Sequence, residues 1–302
     1  MRLSRRAAAL ENQLVWLLSP PRSGSTWLLN MLCRQSGFVK IDEPLVGAHL
    51  GIRTNLVTVN LGPQFAGPAL TESQAARATY FFSDEYASAW EPALRSLLLE
   101  RFSAEATAKA PAVRNPFVVI KEPHGSEGAS LIFRALPKAR LIFLVRDARD
   151  VADSVLAMWQ GEIGADEPAR PTDDDRLKVV SEAAQAWVTR VQSIRHVFNS
   201  LPEAQRFFVR YEDLRPAPVP HLLRIFEWLG VEVAPADIQA VADTLAFEKV
   251  PEEKRGPGRF HRAATPGLWR TSLREPEHAA IVSIAGDLLA ELGYDPLPAT
   301  DG

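Results

Sequence analysis

The sequence lacks several features that mark whole classes of protein. Its single cysteine, Cys33, cannot form an intramolecular disulfide, so we expect a reducing compartment, with the cytoplasm as the default. No run approaches the roughly 20 apolar residues that a membrane-spanning helix needs. The basic start is interrupted at residues 11–13 and leads into an apolar segment of strand type, which argues against a signal peptide. Cys33 and the six histidines have no zinc-like spacing, so no metal is expected.

Excess charge of one sign is also missing. The formal net charge is -3 and the isoelectric point is near 6.1, so no global positive field favours nucleic acid or an anionic membrane. Any anion site must therefore be local. Hydrophobic residues form 46% and charged residues 24% of the 302 positions, which is typical of a globular chain and excludes disorder or collagen. This length allows one large domain or two ordinary ones.

Apolar runs that are followed by polar residues and then by helical patterns recur along the chain. The predicted strands are 15–18, 117–121, 139–145 and 207–211. Runs that are apolar on both faces and alternate with helices indicate a parallel sheet covered on both sides. The sequence therefore predicts an α/β fold, a three-layer α/β/α arrangement with a central, mainly parallel sheet.

The loop after the first strand has the layout of a phosphate-binding loop. It reads Pro-Pro-Arg-Ser-Gly-Ser-Thr over residues 20–26 and leads directly into a helix. Backbone N–H groups and a helix N-terminus converge on an anion in such a loop. The pattern of nucleoside triphosphatases requires a Lys directly after the second Gly. Here the cation, Arg22, precedes Gly24, which favours a different phosphate chemistry.

This loop resembles the 5'-phosphosulfate loop of the sulfotransferase family, whose members use 3'-phosphoadenosine-5'-phosphosulfate (PAPS). In the cytosolic branch the cation is Lys, whereas the tyrosylprotein branch carries Arg, as Arg22 does. The resemblance implies PAPS as co-substrate, 3'-phosphoadenosine-5'-phosphate (PAP) as product and a sulfotransferase of EC 2.8.2 type. The donor-binding residues that it implies in this loop are Arg22, Ser23, Gly24, Ser25, Thr26 and Trp27.

A second segment, residues 144–154, resembles the family's 3'-phosphate motif, in which an Arg at a strand end is followed eight residues later by a helical Ser. Arg146 and Ser154 have this spacing. An Arg fork with a hydroxyl about two helical turns away can hold a phosphate monoester. Tyr211, in a Y-E-D-L segment, resembles the family residue that contacts the adenine region.

The segment 262–270 partly resembles the loop that closes over the 3'-phosphate. Arg262, Gly267 and Trp269 fit, but Ala263 and Ala264 replace a Lys and a Gly. Arg255 and Arg259 are possible substitutes for the missing cation. Trp269 could equally be a core anchor.

Two residues compete as the general base that transfer to a hydroxyl requires. Glu43 resembles in position the catalytic Glu of the tyrosylprotein branch, whereas His124 lies one residue beyond the family's K-x-H position. A shift of one residue redirects a side chain in an extended segment, so Glu43 is favoured. Lys121 matches a family Lys near the transferred group, where it and Arg22 would neutralise developing charge.

These observations predict one domain over residues 1–302, with helical insertions at about 45–116 and 160–200 covering the acceptor side. We expect transfer to the hydroxyl of a small metabolite, lipid or natural product, with an amine as the alternative and no nucleic acid as partner. The competing functions are a P-loop-type kinase or hydrolase and a non-catalytic nucleotide-binding module. The acceptor and the oligomeric state do not follow from the sequence.

Overall fold

The computed structural model describes residues 3–50, 76–163, 172–256 and 264–295. In these ranges five parallel strands form one sheet with the order β2-β3-β1-β4-β5. The strands are β1 (Leu14–Leu18), β2 (Phe38–Asp42), β3 (Phe117–Lys121), β4 (Arg140–Val145) and β5 (Arg206–Arg210). The sheet has helices on both faces, so the predicted α/β fold with a central parallel sheet is confirmed.

The helices surround the sheet in chain order. They are α1 (Arg5–Leu10), α2 (Ser25–Leu32), α3 (Val46–His49), α4 (Ala87–Lys109), α5 (Ala129–Ala135), α6 (Ala148–Ile163), α7 (Asp173–Ser200), α8 (Tyr211–Leu214), α9 (Pro218–Leu229), α10 (Pro235–Thr244), α11 (Trp269–Ser272) and α12 (Glu275–Glu291). The residues just before α5 form a short 3-10 helix, Ser126–Gly128. Within the described residues, no helix combines the length and apolar character needed to cross a membrane.

Each face of the sheet carries its own hydrophobic core, because successive side chains of a strand point to opposite faces. In β1, Leu14, Trp16 and Leu18 join the core beneath α1, α4, α5, α6, α7 and α12. Val15 and Leu17 join the core beneath α2, α9 and α10. All five β1 side chains are buried, as expected for a strand in the middle of a parallel sheet.

The edge strand β2 is not among the strands predicted from the sequence. Its burial alternates along Phe38–Asp42, with Lys40 and Asp42 exposed. A strand at the sheet edge meets a partner on one side only and tolerates polar residues, so it lacks the continuous apolar run by which the other strands were identified.

Two long helices lie partly in the regions predicted as insertions. The helix α4 lies within 45–116, of which residues 51–75 are outside the described residues. The helix α7 begins in a capping box at Thr172 and Asp175 and packs against α6 and α12. Its Trp187 is buried and donates from the indole Nε1 to the carbonyl oxygen of Arg146, 2.9 Å away, so α7 supports the end of β4.

The strand order places the ends of β1, β3 and β4 side by side. Because parallel strands share a direction, the loops after Leu18, Lys121 and Val145 emerge at the same edge of the sheet. Ligands of open α/β sheets bind outside the carboxyl ends of the strands. The motifs singled out in the sequence therefore meet at this edge.

Candidate functional site

The loop between β1 and α2 has an unusual backbone. Arg22 and Gly24 both have positive φ, of 66° and 87°, and Gly24 is the N-cap of α2. A Cβ at Gly24 would lie 2.6 Å from the ring of Tyr211, so the turn leaves no room for a side chain. The loop and the first turn of α2 thus present backbone N–H groups in the geometry that suits an anion.

The second donor motif packs directly on this loop. Arg22 donates from Nε to the hydroxyl of Ser154, 3.1 Å away. Arg146 donates from a terminal guanidinium nitrogen to the carbonyl oxygen of Arg22 at 3.2 Å, and its guanidinium carbon lies 4.7 Å from the centre of the Tyr211 ring. Among the described residues no acceptor pairs with the buried Nε of Arg146. Two guanidinium groups and a hydroxyl are therefore gathered at one place.

A cavity of about 540 Å³ opens beside these residues. The predicted site residues that line it are Arg22, Gly24, Ser25, Thr26, Trp27, Glu43, His124, Arg146, Ser154 and Tyr211. Ser23 and Lys121 are buried, and Lys121 lies beneath the cavity wall. Arg262 is outside the described residues. The structure thus brings the residues of the predicted donor site and both candidate bases around one space.

Lys121 connects the donor loop to Glu43. Its Nζ lies 2.8 Å from Glu43 Oε1 and 2.8 Å from a carboxylate oxygen of Asp42, and it donates to the hydroxyl of Thr26 at 2.7 Å. The Lys121 side chain is 3% exposed, whereas that of Glu43 is 36% exposed. The ammonium group therefore stands between the loop that suits an anion and a carboxylate that faces the cavity.

His124 stands next to Glu43 on the same side of the cavity. Its Nε2 lies 3.8 Å from Glu43 Oε2. Burial lowers the pKa of His124 below its usual value; the Glu43 carboxylate opposes this shift, and Arg190 and Lys121 reinforce it. The imidazole is therefore mainly neutral at pH 7, so both candidate bases can accept a proton there.

The cavity wall also includes residues that the sequence analysis did not identify. Arg215 lies with its guanidinium carbon 5.6 Å from the centre of the Trp27 ring and donates to the carbonyl oxygen of Ala264. Trp27 donates from its indole to the carbonyl oxygen of Leu245 at 3.1 Å, and Phe247 lines the wall nearby. Arg215 directly follows the Y-E-D-L segment, which is the only sequence signal that could have indicated it.

The segment that follows residue 263 closes one side of the site. Tyr211 donates to the carbonyl oxygen of Ala264, and Asp150 accepts from the backbone N–H of Gly267 at 2.7 Å. Trp269 is buried and stacked on His278, with ring centres 5.0 Å apart, so it anchors this segment in the protein. Of the two proposed substitute cations, Arg255 lies 5.7 Å from the Phe247 ring and Arg259 is outside the described residues.

The described part of the chain holds no group of three or more His, Cys, Asp or Glu residues arranged to bind a metal ion. The cationic side chains at the site belong to Arg22, Lys121, Arg146 and Arg215. This donor set of guanidinium, ammonium, hydroxyl and backbone N–H groups suits an anionic ligand such as a phosphate or sulfate ester.

Known structures share this architecture. A mouse sulfotransferase, SULT7A1, complexed with PAP superposes with a TM-score of 0.55 at 12% identity, covering 95% of this chain and 90% of that one. The sulfotransferase domain of the curacin biosynthetic pathway gives 0.52 at 19% identity, with 94% and 98% covered. STF9 of Mycobacterium avium gives 0.52 at 15% identity, with 94% and 77% covered. At these identities the likeness establishes the fold.

Sequence comparison places the chain more specifically. No curated protein sequence matches it significantly. The model of the sulfotransferase family matches residues 15–235, which include the loop after β1, Glu43, Lys121 and both halves of the Arg146 and Ser154 motif. The chain belongs to the sulfotransferase family.

Proposed function

We propose that this protein is a PAPS-dependent sulfotransferase of EC 2.8.2 type that acts on a hydroxyl of a small molecule, with an amine as the alternative acceptor. The observation that carries the proposal is the contact of Arg22 with Ser154 and Arg146 beside the cavity. It joins a loop suited to the 5'-phosphosulfate to an Arg and a Ser suited to a second phosphate. A ligand with a 5'-phosphate alone would not use the second pair.

The distribution of charge along the cavity supports a division of labour. Arg22 and Arg146, with the first turn of α2, would bind the donor, and Ser23, Ser25, Thr26 and Ser154 would add hydroxyl groups. Trp27 and Tyr211 would contact the adenine. Arg262 retains its proposed role at the 3'-phosphate on sequence resemblance alone. SULT7A1 and retinol dehydratase, which has a TM-score of 0.50 at 16% identity, were solved with PAP.

In the proposed reaction the acceptor oxygen attacks sulfur in line with the bond to the phosphate oxygen. The new sulfur–oxygen bond forms as that bond breaks, PAP leaves with the electron pair, and the acceptor proton passes to Glu43. Lys121 lies 2.8 Å from Glu43 and 2.7 Å from Thr26, so it can stabilise charge on the transferred group. His124, 3.8 Å from Glu43, is the competing base.

The acceptor end of the cavity includes Glu43, Pro123, His124 and Met158. Its size and mixed lining support a small-molecule acceptor, and retinol dehydratase was solved with retinol and with androsterone. We retain the proposals of one domain over residues 1–302 and of insertions at about 45–116 and 160–200 that cover this end. A reducing, cytoplasmic location is also a proposal; it rests on Cys33, whose thiol pKa burial raises to about 12.

The test is titration calorimetry with PAP, 5'-AMP, and ATP with Mg²⁺, on the wild type, Arg146→Ala and Arg195→Ala. Arg195 is ion-paired with Glu291 away from the site and serves as the matched control. We expect PAP to bind at least tenfold more tightly than 5'-AMP and this preference to be lost only in Arg146→Ala, because a charge-assisted hydrogen bond contributes on the order of 1.5–3 kcal/mol. Binding of ATP with Mg²⁺ in preference to PAP would indicate a kinase or hydrolase instead.

Turnover distinguishes an enzyme from a binding module. Radiolabelled PAPS is incubated with phenols, aliphatic alcohols and amines, and the Glu43→Gln and His124→Gln variants are compared on the best acceptor. Loss of a general base costs roughly 10²–10⁴-fold in rate. We expect this loss in Glu43→Gln and a smaller one in His124→Gln, and the reverse order would assign the base to His124. PAP binding without any PAPS turnover would indicate a module that has lost its chemistry.

A further inference from the structure

A fully buried carboxyl group lies directly behind the residues proposed for catalysis. Glu122 follows Lys121 at the end of β3, and its exposed fraction is 0%. Its backbone N–H donates to the carbonyl oxygen of Leu17 at 3.1 Å, which fixes Glu122 against β1. A buried carboxyl is costly unless it is bound to partners, so its contacts require an explanation.

The carboxyl of Glu122 contacts the turn that carries Glu43. Its Oε2 accepts a hydrogen bond from the backbone N–H of Val46, 3.0 Å away, at the start of α3. At the other end of the turn, the backbone N–H of Glu43 donates to the carbonyl oxygen of Lys121 at 2.9 Å. Two consecutive residues at the end of β3 therefore hold both ends of the turn 43–46.

This turn needs external support because its backbone is unfavourable. Glu43 and Leu45 have φ values of 51° and 58°, in the left-handed region that residues other than glycine seldom adopt. Each such residue costs on the order of 1–3 kcal/mol and persists only where its surroundings enforce it. Glu43 is thus held in a conformation that its own sequence does not favour.

Tight packing keeps the start of α3 within reach of Glu122. A Cβ at Gly47 would lie 1.9 Å from the carbonyl oxygen of Gly125, and one at Gly128 would lie 2.6 Å from the Cα of Gly47. The backbone of α3 therefore rests directly on the segment 125–128. A side chain at either glycine would lift α3 away from the Glu122 carboxyl.

We infer that Glu122 is a positioning residue for sulfuryl transfer, which holds the turn 43–46 so that Glu43 faces Lys121 and the cavity. The inference rests on the proposed function, in which Glu43 takes the acceptor proton. Glu122 does not line the cavity, so it acts through Glu43 and not on the substrate.

The charges around Glu122 agree with a structural hydrogen-bond acceptor. Burial, the largest cause, raises the pKa of Glu122 to about 7, and Glu43 and Glu127 raise it further, whereas the N–H groups of Val46 and Leu45 oppose the shift. The other charged or titratable groups of this region are Lys121, His124 and Arg190, which is paired with Glu127. An oxygen of the group can accept the Val46 N–H whether or not the carboxyl is ionised, so glutamine should replace it.

The experiment is a double-mutant cycle. Glu122→Ala and Glu122→Gln are made in the wild type and in Glu43→Gln, and Glu127→Gln is the control because Glu127 is equally buried in the same segment but pairs with Arg190. Two quantities are measured: the PAP dissociation constant, and the rate of sulfate release from PAPS with water as acceptor. Hydrogen exchange of the Val46 amide reports the turn itself.

We expect Glu122→Ala to lower the rate by about tenfold or more with PAP affinity within about twofold of wild type, because a displaced base loses catalysis without losing donor contacts. Glu122→Gln should restore most of the rate, and Glu127→Gln should leave it unchanged. In the Glu43→Gln background Glu122→Ala should cost less than about twofold, since the residue it positions is already gone. The Val46 amide should exchange faster in Glu122→Ala than in Glu122→Gln.

Other outcomes overturn the inference. An equal loss in both backgrounds, or a parallel loss of PAP affinity, would show that Glu122 supports the fold in general. An unchanged rate in Glu122→Ala, or unchanged exchange at Val46, would show that it does not hold the turn. These results leave the proposed function intact if the wild type binds PAP and Glu43→Gln is impaired. A wild type that neither binds PAP nor consumes PAPS would overturn the proposed function and, with it, the positioning role.

Discussion

Arg22 and Ser154 are 132 positions apart in the chain, yet the Nε of Arg22 donates to the Ser154 hydroxyl over 3.1 Å. The contact is possible because β1 and β4 are parallel neighbours, so the loop after β1 and the helix after β4 begin at the same edge of the sheet. The two halves of the proposed donor site are thus in contact before any ligand arrives. A site formed in advance lowers the cost of ordering side chains on binding.

Ser154→Ala should weaken PAP binding by about tenfold and leave 5'-AMP binding within about twofold of wild type. The hydroxyl would be lost from the second phosphate site only, and a hydrogen bond to a charged group contributes on the order of 1.5–3 kcal/mol. Titration calorimetry with both nucleotides provides the measurement. Ser193→Ala is the matched control, because its buried hydroxyl donates to Thr189 within α7. Equal weakening of PAP and 5'-AMP would argue against a 3'-phosphate contact.

Gly24→Ala should abolish measurable PAP binding. The added Cβ would lie 2.6 Å from the Tyr211 ring, so either the loop or Tyr211 must move. Gly37→Ala is the control, since Gly37 has a similar φ of 85° but no described atom within 4 Å of the new Cβ. Both variants carry backbone strain of roughly 1–2 kcal/mol, and only the first displaces the donor site. If thermal unfolding and PAP titration show the same loss in both variants, crowding against Tyr211 is not the cause.

Lys121→Met should reduce PAPS turnover by about 100-fold or more while changing PAP affinity by less than about fivefold. PAP lacks the sulfuryl group that Lys121 would stabilise, so the loss should fall on the rate. Sulfate release from PAPS and PAP titration separate the two effects. Lys138→Met, an exposed lysine just before β4, is the control. A loss confined to PAP affinity would place Lys121 at the donor phosphates instead.

The extent to which the sequence predicts this structure varies with the kind of contact. Continuous apolar runs predict β1, β3, β4 and β5, because strands buried on both faces have no room for polar residues. The edge strand β2 escapes this rule, since Lys40 and Asp42 face solvent. Fixed motif spacing identifies Arg22, Arg146 and Ser154, whose positions follow from the strand ends.

Contacts between distant segments are harder to predict. Arg215 and Phe247 reach the cavity because α8 and α10 fold against the far side of Trp27, which no local pattern records. Glu122 lies between two residues that the sequence indicates, Lys121 and His124, but a lone carboxyl in a polar segment gives no sign of burial. Only the docking of α3 on residues 125–128 shows that Glu122 holds a turn 76 positions away.

The ionisation of Glu122 also predicts how stability should depend on pH. Burial raises its pKa from 4.5 to about 7 in the folded protein, so the folded state binds this proton more tightly than the unfolded state does. Ionisation between these values therefore costs stability: the contribution of Glu122 falls as pH rises from about 4.5 to about 7 and is constant above. Glu122→Gln is neutral throughout. The free energy of unfolding of Glu122→Gln, relative to wild type, should thus increase between pH 5 and pH 8 by up to about 3 kcal/mol.

Urea unfolding of both proteins at several values of pH between 5 and 8 measures this difference directly. Subtracting the wild type removes the contributions of the other titrating groups that the two proteins share, His124 among them. Glu11→Gln is the control: Glu11 is a buried carboxyl with no counterpart near the site, ion-paired with Arg95 and accepting the backbone N–H of Lys138. Its difference from wild type should not rise toward pH 8. A constant difference for Glu122→Gln as well would mean that the Glu122 carboxyl is already ionised at pH 5 and that the Val46 N–H and nearby cations outweigh its burial.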